Sequence, residues 1–118
     1  MVQYNRRYPR IPLSGLALIK ILDSNAQISG QIEEISRRGI GVFTKEKVLK
    51  GSRVNIKIYC DVGSGPLDYN LSGFIRTEEK KKEFGSIGIE FEKEINTTDH
   101  SDLYKYLISK EKNVDFKK

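Results

Sequence analysis

Strict alternation of apolar and polar residues over positions 53–60 constrains the fold of this chain more than any other feature. The segment reads RVNIKIYC, so every second side chain from Val54 to Cys60 is apolar. A period of two residues is typical of a β-strand that buries one face. Cys60 is therefore predicted to be a small core residue. Since it is the only cysteine, an intrachain disulfide is excluded and a reducing, cytoplasmic location is expected.

Five other stretches have the composition and spacing of short strands. They are Leu16–Leu22, Ala26–Ile32, Gly39–Phe43, Tyr69–Thr77 and Ile87–Phe91. Turns or loops are predicted at residues 23–25, 50–52, 63–66 and 78–83. Six short strands favour a closed barrel or a sandwich, and closure is preferred because it leaves no exposed edge. The fold class is therefore all-β apart from one helix.

The helix is predicted after the strands, over about residues 98–109. Thr97 or Thr98 can cap its start. Its apolar positions recur at helical spacing and are Leu103, Tyr104, Tyr106, Leu107 and Ile108. This stripe is expected to plug or flank the barrel, although it can instead serve a partner. His100, the only histidine, is predicted to be a solvated or capping residue.

The 118 residues are expected to form one domain between two charged ends. Residues 1–10 are interpreted as a flexible basic arm, 11–110 as the barrel with its helix, and 111–118 as a charged tail. The net charge of +5 suits an anionic ligand without requiring one. No apolar run approaches the roughly 20 residues of a membrane span, and no signal peptide is recognisable.

Nothing in the sequence favours catalysis. A lone histidine without a cysteine pair does not make a metal site. The phosphate-binding loop and the glycine motif of dinucleotide-binding folds are both missing. We therefore expect neither an enzyme nor a metal or cofactor.

The arm carries the first of two candidate binding motifs, the sequence RRYPR at residues 6–10. Arg6 and Arg10 form an R-x-x-x-R pattern, with Arg7 beside them. A guanidinium is a planar fork that grips two phosphate oxygens or the O6 and N7 atoms of guanine, and it also stacks on a purine ring. A basic N-terminus without a ligand shows the same pattern.

The second motif is EISRRG at residues 34–39, between two predicted strands. Gly39 can adopt a positive φ or let a ligand approach the backbone. The Ser36 hydroxyl can brace the turn or reach a ligand. Ionised Glu34 only accepts hydrogen bonds, so it can face the N1–H and N2–H donors of guanine. A polar strand connection without a ligand is the alternative interpretation.

Together the two motifs resemble the signature of the PilZ family, R-x-x-x-R in an N-terminal arm followed by [D/N]-x-S-x-x-G at the start of a strand. Arg6 and Arg10 match the first part, and Ser36 and Gly39 match the second. Further stretches that resemble the family are Arg10–Leu13, Gly51, Leu71–Arg76 and Phe84–Phe91. The resemblance covers roughly residues 6–108.

This resemblance implies a six-stranded antiparallel β-barrel with a C-terminal helix, which binds cyclic di-GMP (c-di-GMP) where the arm folds over the barrel. Arginines of the arm would contact phosphate and guanine, and the 34–39 turn would seat a base. The candidate ligand-binding residues are Arg6, Arg7, Arg10, Glu34, Ser36, Gly39 and Arg76. Arg37 and Arg38 are further cations without an assigned role.

Glu34 departs from the family pattern, which has Asp or Asn at this position. The added methylene moves the carboxylate outward by ~1.5 Å. It also adds a rotor that costs ~0.5–1.5 kcal/mol to immobilise. A hydrogen bond to a charged group contributes ~1.5–3 kcal/mol. The expected effect therefore ranges from slight weakening to complete loss of this contact.

The leading hypothesis is a bacterial c-di-GMP receptor in which the ligand orders the arm and so signals to an unidentified protein partner. A second hypothesis is a PilZ-like adaptor that binds no nucleotide, which Glu34 favours. A third is a small RNA- or DNA-binding barrel that stacks bases on Tyr59, Phe74 and Phe43.

Overall fold

The computed structural model describes residues 8–61, 66–80 and 85–112. In chain order the elements are β1 (Ile11–Ile21), β2 (Gln27–Ile35), β3 (Gly39–Thr44), β4 (Arg53–Asp61), β5 (Pro66–Lys80), β6 (Gly85–Phe91) and α1 (Ser101–Glu111). The strands close into a barrel in the order β1-β2-β3-β6-β5-β4, and every neighbouring pair is antiparallel. The predicted six-stranded antiparallel barrel with a C-terminal helix is confirmed.

Inward side chains of the strands and of α1 fill one core. On β4, Val54, Ile56 and Ile58 are fully buried and Cys60 is nearly so, as the alternation predicts. Leu103 and Leu107 of α1 belong to the same cluster, so the helix packs against the barrel. No helix among the described residues has the length and apolar content needed to cross a membrane.

Two of the early strands extend further than predicted. β1 begins at Ile11 rather than at Leu16, because Ile11 and Leu13 are buried and continue the alternation toward the arm. β2 continues to Ile35, which is also buried. β2 therefore includes Glu34 and Ile35, the first two residues of the second motif.

β5 also differs from its predicted bounds. Its first residue, Pro66, lies in the segment predicted to be a loop, but the start of a strand tolerates a proline. It runs on to Lys80, so the predicted turn at 78–83 is wrong for its first three residues. The ladder to β6 continues there, with Glu78 opposite Ile87, because exposed charged side chains do not disturb backbone pairing.

The start of α1 differs from two predictions, the threonine cap and a solvated or capping His100. Neither Thr97 nor Thr98 is the N-cap; His100 holds that position, and its side chain makes no capping hydrogen bond. Asn96 shapes the preceding turn instead, since its Oδ1 accepts hydrogen bonds from the backbone N–H of Thr98 at 2.9 Å and of the next residue at 2.8 Å. His100 is only 8% exposed, and its ring packs edge-on against Tyr69 with 5.3 Å between centroids.

Candidate functional site

A cleft of about 580 Å³ opens on the outer face of the barrel, where β2, β3, β6 and β5 lie side by side. Glycines form its floor: Gly41 of β3 pairs with Gly88 of β6, and Gly39 begins β3. A Cβ added at Gly41 would lie 3.3 Å from Cγ of Glu34. The missing side chains therefore keep a trough open in which a flat group can approach the backbone.

A bulge in β2 determines which way Glu34, in the acidic wall of the cleft, faces. The register with β3 shifts between Ile32 and Glu34, so that Glu33 is an extra residue. In a regular strand, residues three positions apart face opposite sides. The bulge allows Ile32 and Ile35 both to be buried. Glu34 then lies beside Gly41 and lines the cleft rather than the core.

The 36–39 turn closes one end of the cleft. The backbone N–H of Ser36 donates to the carbonyl of Gly39 at 2.8 Å, and the N–H of Arg38 donates to Oγ of Ser36 at 3.2 Å. Ser36 thus braces the turn, one of its two expected roles, and retains a hydroxyl proton that it can donate to a ligand. Gly39 does not have a positive φ, which leaves close ligand approach as its remaining expected role.

Arg10, at the end of the arm, lines the cleft and forms an ion pair with Glu34 of the second motif. Its Nη1 lies 3.1 Å from Oε2 of Glu34, and the two side chains are 43% and 30% exposed. Exposed ion pairs contribute only ~0–1 kcal/mol, so a ligand can displace this one at little cost. Pro12 of β1 lies opposite Glu34 of β2, which holds the base of the arm against the cleft.

Two further cations line the cleft. The Nε of Arg38 donates to the carbonyl of Phe91 at 3.2 Å and lies 3.9 Å from a carboxylate oxygen of Glu90. Lys50 comes from the loop before β4, and no local signal in the sequence points to it. Within residues 8–61, 66–80 and 85–112, the charged lining consists of Arg10, Arg38 and Lys50 with Glu33, Glu34, Glu78 and Glu79. Such a mixture suits a ligand that carries both phosphates and N–H donors.

Among the sequence-predicted site residues that the structure describes, Arg76 does not line the cleft. Arg76 is the extra residue of a bulge in β5, and its Nε donates to Glu90 at 2.7 Å. Its guanidinium also lies 5.2 Å from the ring centroid of Phe74. Arg6 and Arg7 lie outside the described residues.

The sequence matches the PilZ domain family over residues 4–109. The chain belongs to the PilZ family. PilZ domains are binding and effector modules rather than enzymes. No curated protein matches the sequence. Among the residues described in this PilZ domain, no group of three or more His, Cys, Asp and Glu side chains could hold a metal ion.

Three solved structures resemble this PilZ domain. The inhibitor of motility MotI/DgrA of Bacillus subtilis is 19% identical, with a TM-score of 0.74 over 95% of this chain and 53% of its own. The PilZ domain of Escherichia coli YcgR, solved with c-di-GMP, is 16% identical, with a TM-score of 0.58 over 94% and 93%. The K. pneumonia MrkH–c-di-GMP complex is 17% identical, with a TM-score of 0.67 over 99% and 56%. The likeness shows the fold, and this chain spans about half of the MotI and MrkH chains.

The aromatic residues considered for nucleic-acid stacking lie outside the cleft of the PilZ barrel, on three different strands. Phe43 is on β3, Tyr59 on β4 and Phe74 on β5. Phe74 is flanked by Arg53 and Arg76, but both guanidinium groups also pair with carboxylates. These pairs neutralise the cations that a phosphate backbone would need.

Proposed function

We propose that this PilZ domain is a c-di-GMP receptor that binds the dinucleotide in the cleft and catalyses no reaction. The observation that carries the proposal is that Arg10 of the arm and the 34–39 motif meet in one cleft with a glycine floor. The cleft volume of about 580 Å³ falls within the range of small-ligand sites. The c-di-GMP bound to the YcgR PilZ domain and to MrkH supports the choice of ligand.

Binding would exchange the internal ion pair for contacts to the nucleotide. Arg10 offers its fork to a phosphate or to O6 and N7 of guanine, and Glu34 then accepts from guanine N1–H and N2–H. Arg38 and Lys50 add positive charge for the phosphates. This exchange shifts the arm over the barrel, and a protein partner in the bacterial cytoplasm reads the new surface.

Calorimetric titration with c-di-GMP, with GTP as the control ligand, tests this proposal. Arg10→Ala is expected to weaken c-di-GMP binding at least tenfold, a loss of ~1.4 kcal/mol. Its melting temperature should barely change, because the side chain lies outside the core. Arg53→Ala is the matched control, since it removes an arginine that pairs with Glu92 outside the cleft. Equal affinity of wild type and Arg10→Ala would rule out this site.

A protein adaptor that binds no nucleotide is the second candidate function. The Arg10–Glu34 pair favours it, because it occupies the groups that a ligand would use. The carboxylates that line the cleft favour it as well, since they repel phosphates. In that case the titration detects no c-di-GMP binding by the wild-type chain.

A further inference from the structure

Arg37 belongs to the turn that closes the cleft, yet its side chain lies against α1. Ser36 and Arg38 line the cleft, whereas Arg37 does not. Its Nε and Nη2 donate to the two carboxylate oxygens of Glu111 at 2.9 and 2.7 Å. The two side chains are only 25% and 12% exposed, so this bidentate pair is shielded from water. The hydrogen bonds to Glu111 also raise the pKa of Arg37 above its ordinary value.

The same guanidinium contacts the arm. Its Cζ lies 4.7 Å from the ring centroid of Tyr8 and 5.8 Å from that of Tyr104 on α1. Tyr8 lines the cleft two residues before Arg10, and its hydroxyl donates to Oε2 of Glu94 at 2.8 Å. The side chain of Arg37, which belongs to the turn, therefore contacts both the arm and α1.

We propose that Arg37 and Glu111 are positioning residues for the nucleotide site, an inference that rests on the proposed function. Glu111 fixes the guanidinium of Arg37, which in turn holds the ring of Tyr8. Tyr8 keeps Arg10 at the cleft before a ligand arrives. Pre-organising a binding group reduces the entropy lost on binding and so raises affinity. The affinity for c-di-GMP then depends on the last turn of a helix that does not line the cleft.

Glu111→Gln separates positioning from simple electrostatics. The substitution removes a negative charge, so long-range attraction alone predicts tighter binding of an anionic nucleotide. Positioning predicts weaker binding, by roughly fivefold, the scale on which residues outside a site modulate it. Arg37→Gln should also weaken binding, and the double variant should bind no worse than Arg37→Gln because both changes break the same contact. Calorimetric titration with c-di-GMP measures all three affinities.

Matched controls change charge elsewhere. Lys105→Gln alters an exposed residue of α1, and Arg53→Gln removes an arginine outside the cleft. Neither should change the affinity by more than roughly twofold, since distant exposed charges are screened by salt. Arg37→Lys keeps the charge but loses the planar fork, and its affinity should fall between those of wild type and Arg37→Gln.

A second readout needs no nucleotide. Tryptic cleavage after Arg10, followed by mass spectrometry, reports how firmly the arm is held. Glu111→Gln should accelerate this cleavage. Cleavage after Lys57, in the middle of β4, should stay slow in every variant and so shows that the barrel remains folded.

The proposal is overturned if Glu111→Gln binds c-di-GMP as tightly as wild type, or if its cleavage after Arg10 is unchanged. Neither result contradicts the proposed function. A wild-type chain that does not bind c-di-GMP contradicts the proposed function instead. The cleavage rates alone then decide whether Glu111 positions the arm.

Discussion

Glu34 lies in the wall of the cleft, at the position where the PilZ motif has Asp or Asn. Its length allows Oε2 to approach Nη1 of Arg10 to 3.1 Å. An aspartate would be one methylene shorter, would hold Arg10 less well, and would have one rotor fewer to immobilise against guanine. The residue therefore governs both the internal ion pair and the contact to the ligand.

Glu34→Asp is expected to tighten c-di-GMP binding by ~0.5–1.5 kcal/mol. Glu34→Ala should weaken it, because guanine N–H donors would then face no acceptor. Calorimetry on the three proteins measures both changes, and Glu46→Asp, outside the cleft, is the control. Weaker binding by Glu34→Asp than by wild type would show that the cleft is shaped around the longer side chain.

His100 is buried at the start of α1, and its Nδ1 finds no hydrogen-bond partner among the described residues. Burial lowers the pKa of His100; Asp99 opposes this effect and Lys93 reinforces it. A proton would also place positive charge at the positive end of the helix dipole. The folded protein therefore favours neutral His100, whereas the unfolded chain takes up a proton near the ordinary histidine pKa.

Stability should consequently fall as the pH drops below about 6.5, because the unfolded state then binds more protons than the folded state. The decrease should end once the pH lies below the lowered pKa of His100. Urea unfolding between about pH 7.5 and 5 measures the slope. His100→Asn suits an N-cap and does not titrate, so its profile should be flatter. Identical slopes would assign the pH dependence to other groups.

At the scale of elements, glycines of β2 and β3 have different roles. Gly41 on β3 faces the cleft, where an added Cβ meets the flexible side chain of Glu34. Gly30 on β2 lies under the neighbouring strand, where a Cβ would be 2.4 Å from the carbonyl oxygen of Phe43 and from Cγ1 of Val42. The first glycine keeps the cleft open, and the second permits the strands to pack.

Gly41→Ala should therefore weaken c-di-GMP binding at least tenfold, or ~1.4 kcal/mol, with little change in melting temperature. Gly30→Ala should instead destabilise the fold by ~1–3 kcal/mol, as overpacking does. Circular dichroism melts and calorimetry separate the two effects. Wild-type affinity in Gly41→Ala would mean that no base lies on the glycine floor.

On the scale of the whole molecule, the barrel separates stability from binding. The core lies inside the strands and under α1, while the cleft opens on the outer face of β2, β3, β6 and β5, where the arm and the turn also line it. A ligand in the cleft can thus stabilise the folded state by mass action without repacking the core. At 100 times its dissociation constant it adds ~2.7 kcal/mol.

The wild-type melting temperature should accordingly rise by roughly 8 °C or more at that concentration of c-di-GMP. Arg10→Ala should show a much smaller rise at the same concentration. Differential scanning fluorimetry makes the comparison, with GTP as the ligand control. A wild-type melting temperature that does not respond to c-di-GMP would favour the adaptor.

Features that depend on neighbouring residues are predictable from the sequence. The period of two on β4 identifies its buried face, because a strand directs alternate side chains to opposite sides. The two motifs identify Arg10, Glu34, Ser36 and Gly39, and all four line the cleft. Chemistry carried by a residue type at a fixed spacing is local, so it can be read from one stretch of chain.

Tertiary structure alone decided which distant residues meet. It pairs Gly41 with Gly88, brings Lys50 to the cleft, directs Arg76 away from it and places Arg37 against Glu111. The same applies to His100, whose burial depends on contact with β5. Bulges, strand register and helix docking are fixed when the barrel closes and all strands bury their apolar faces together. That condition is a property of the whole chain, so no single segment carries a signal for it.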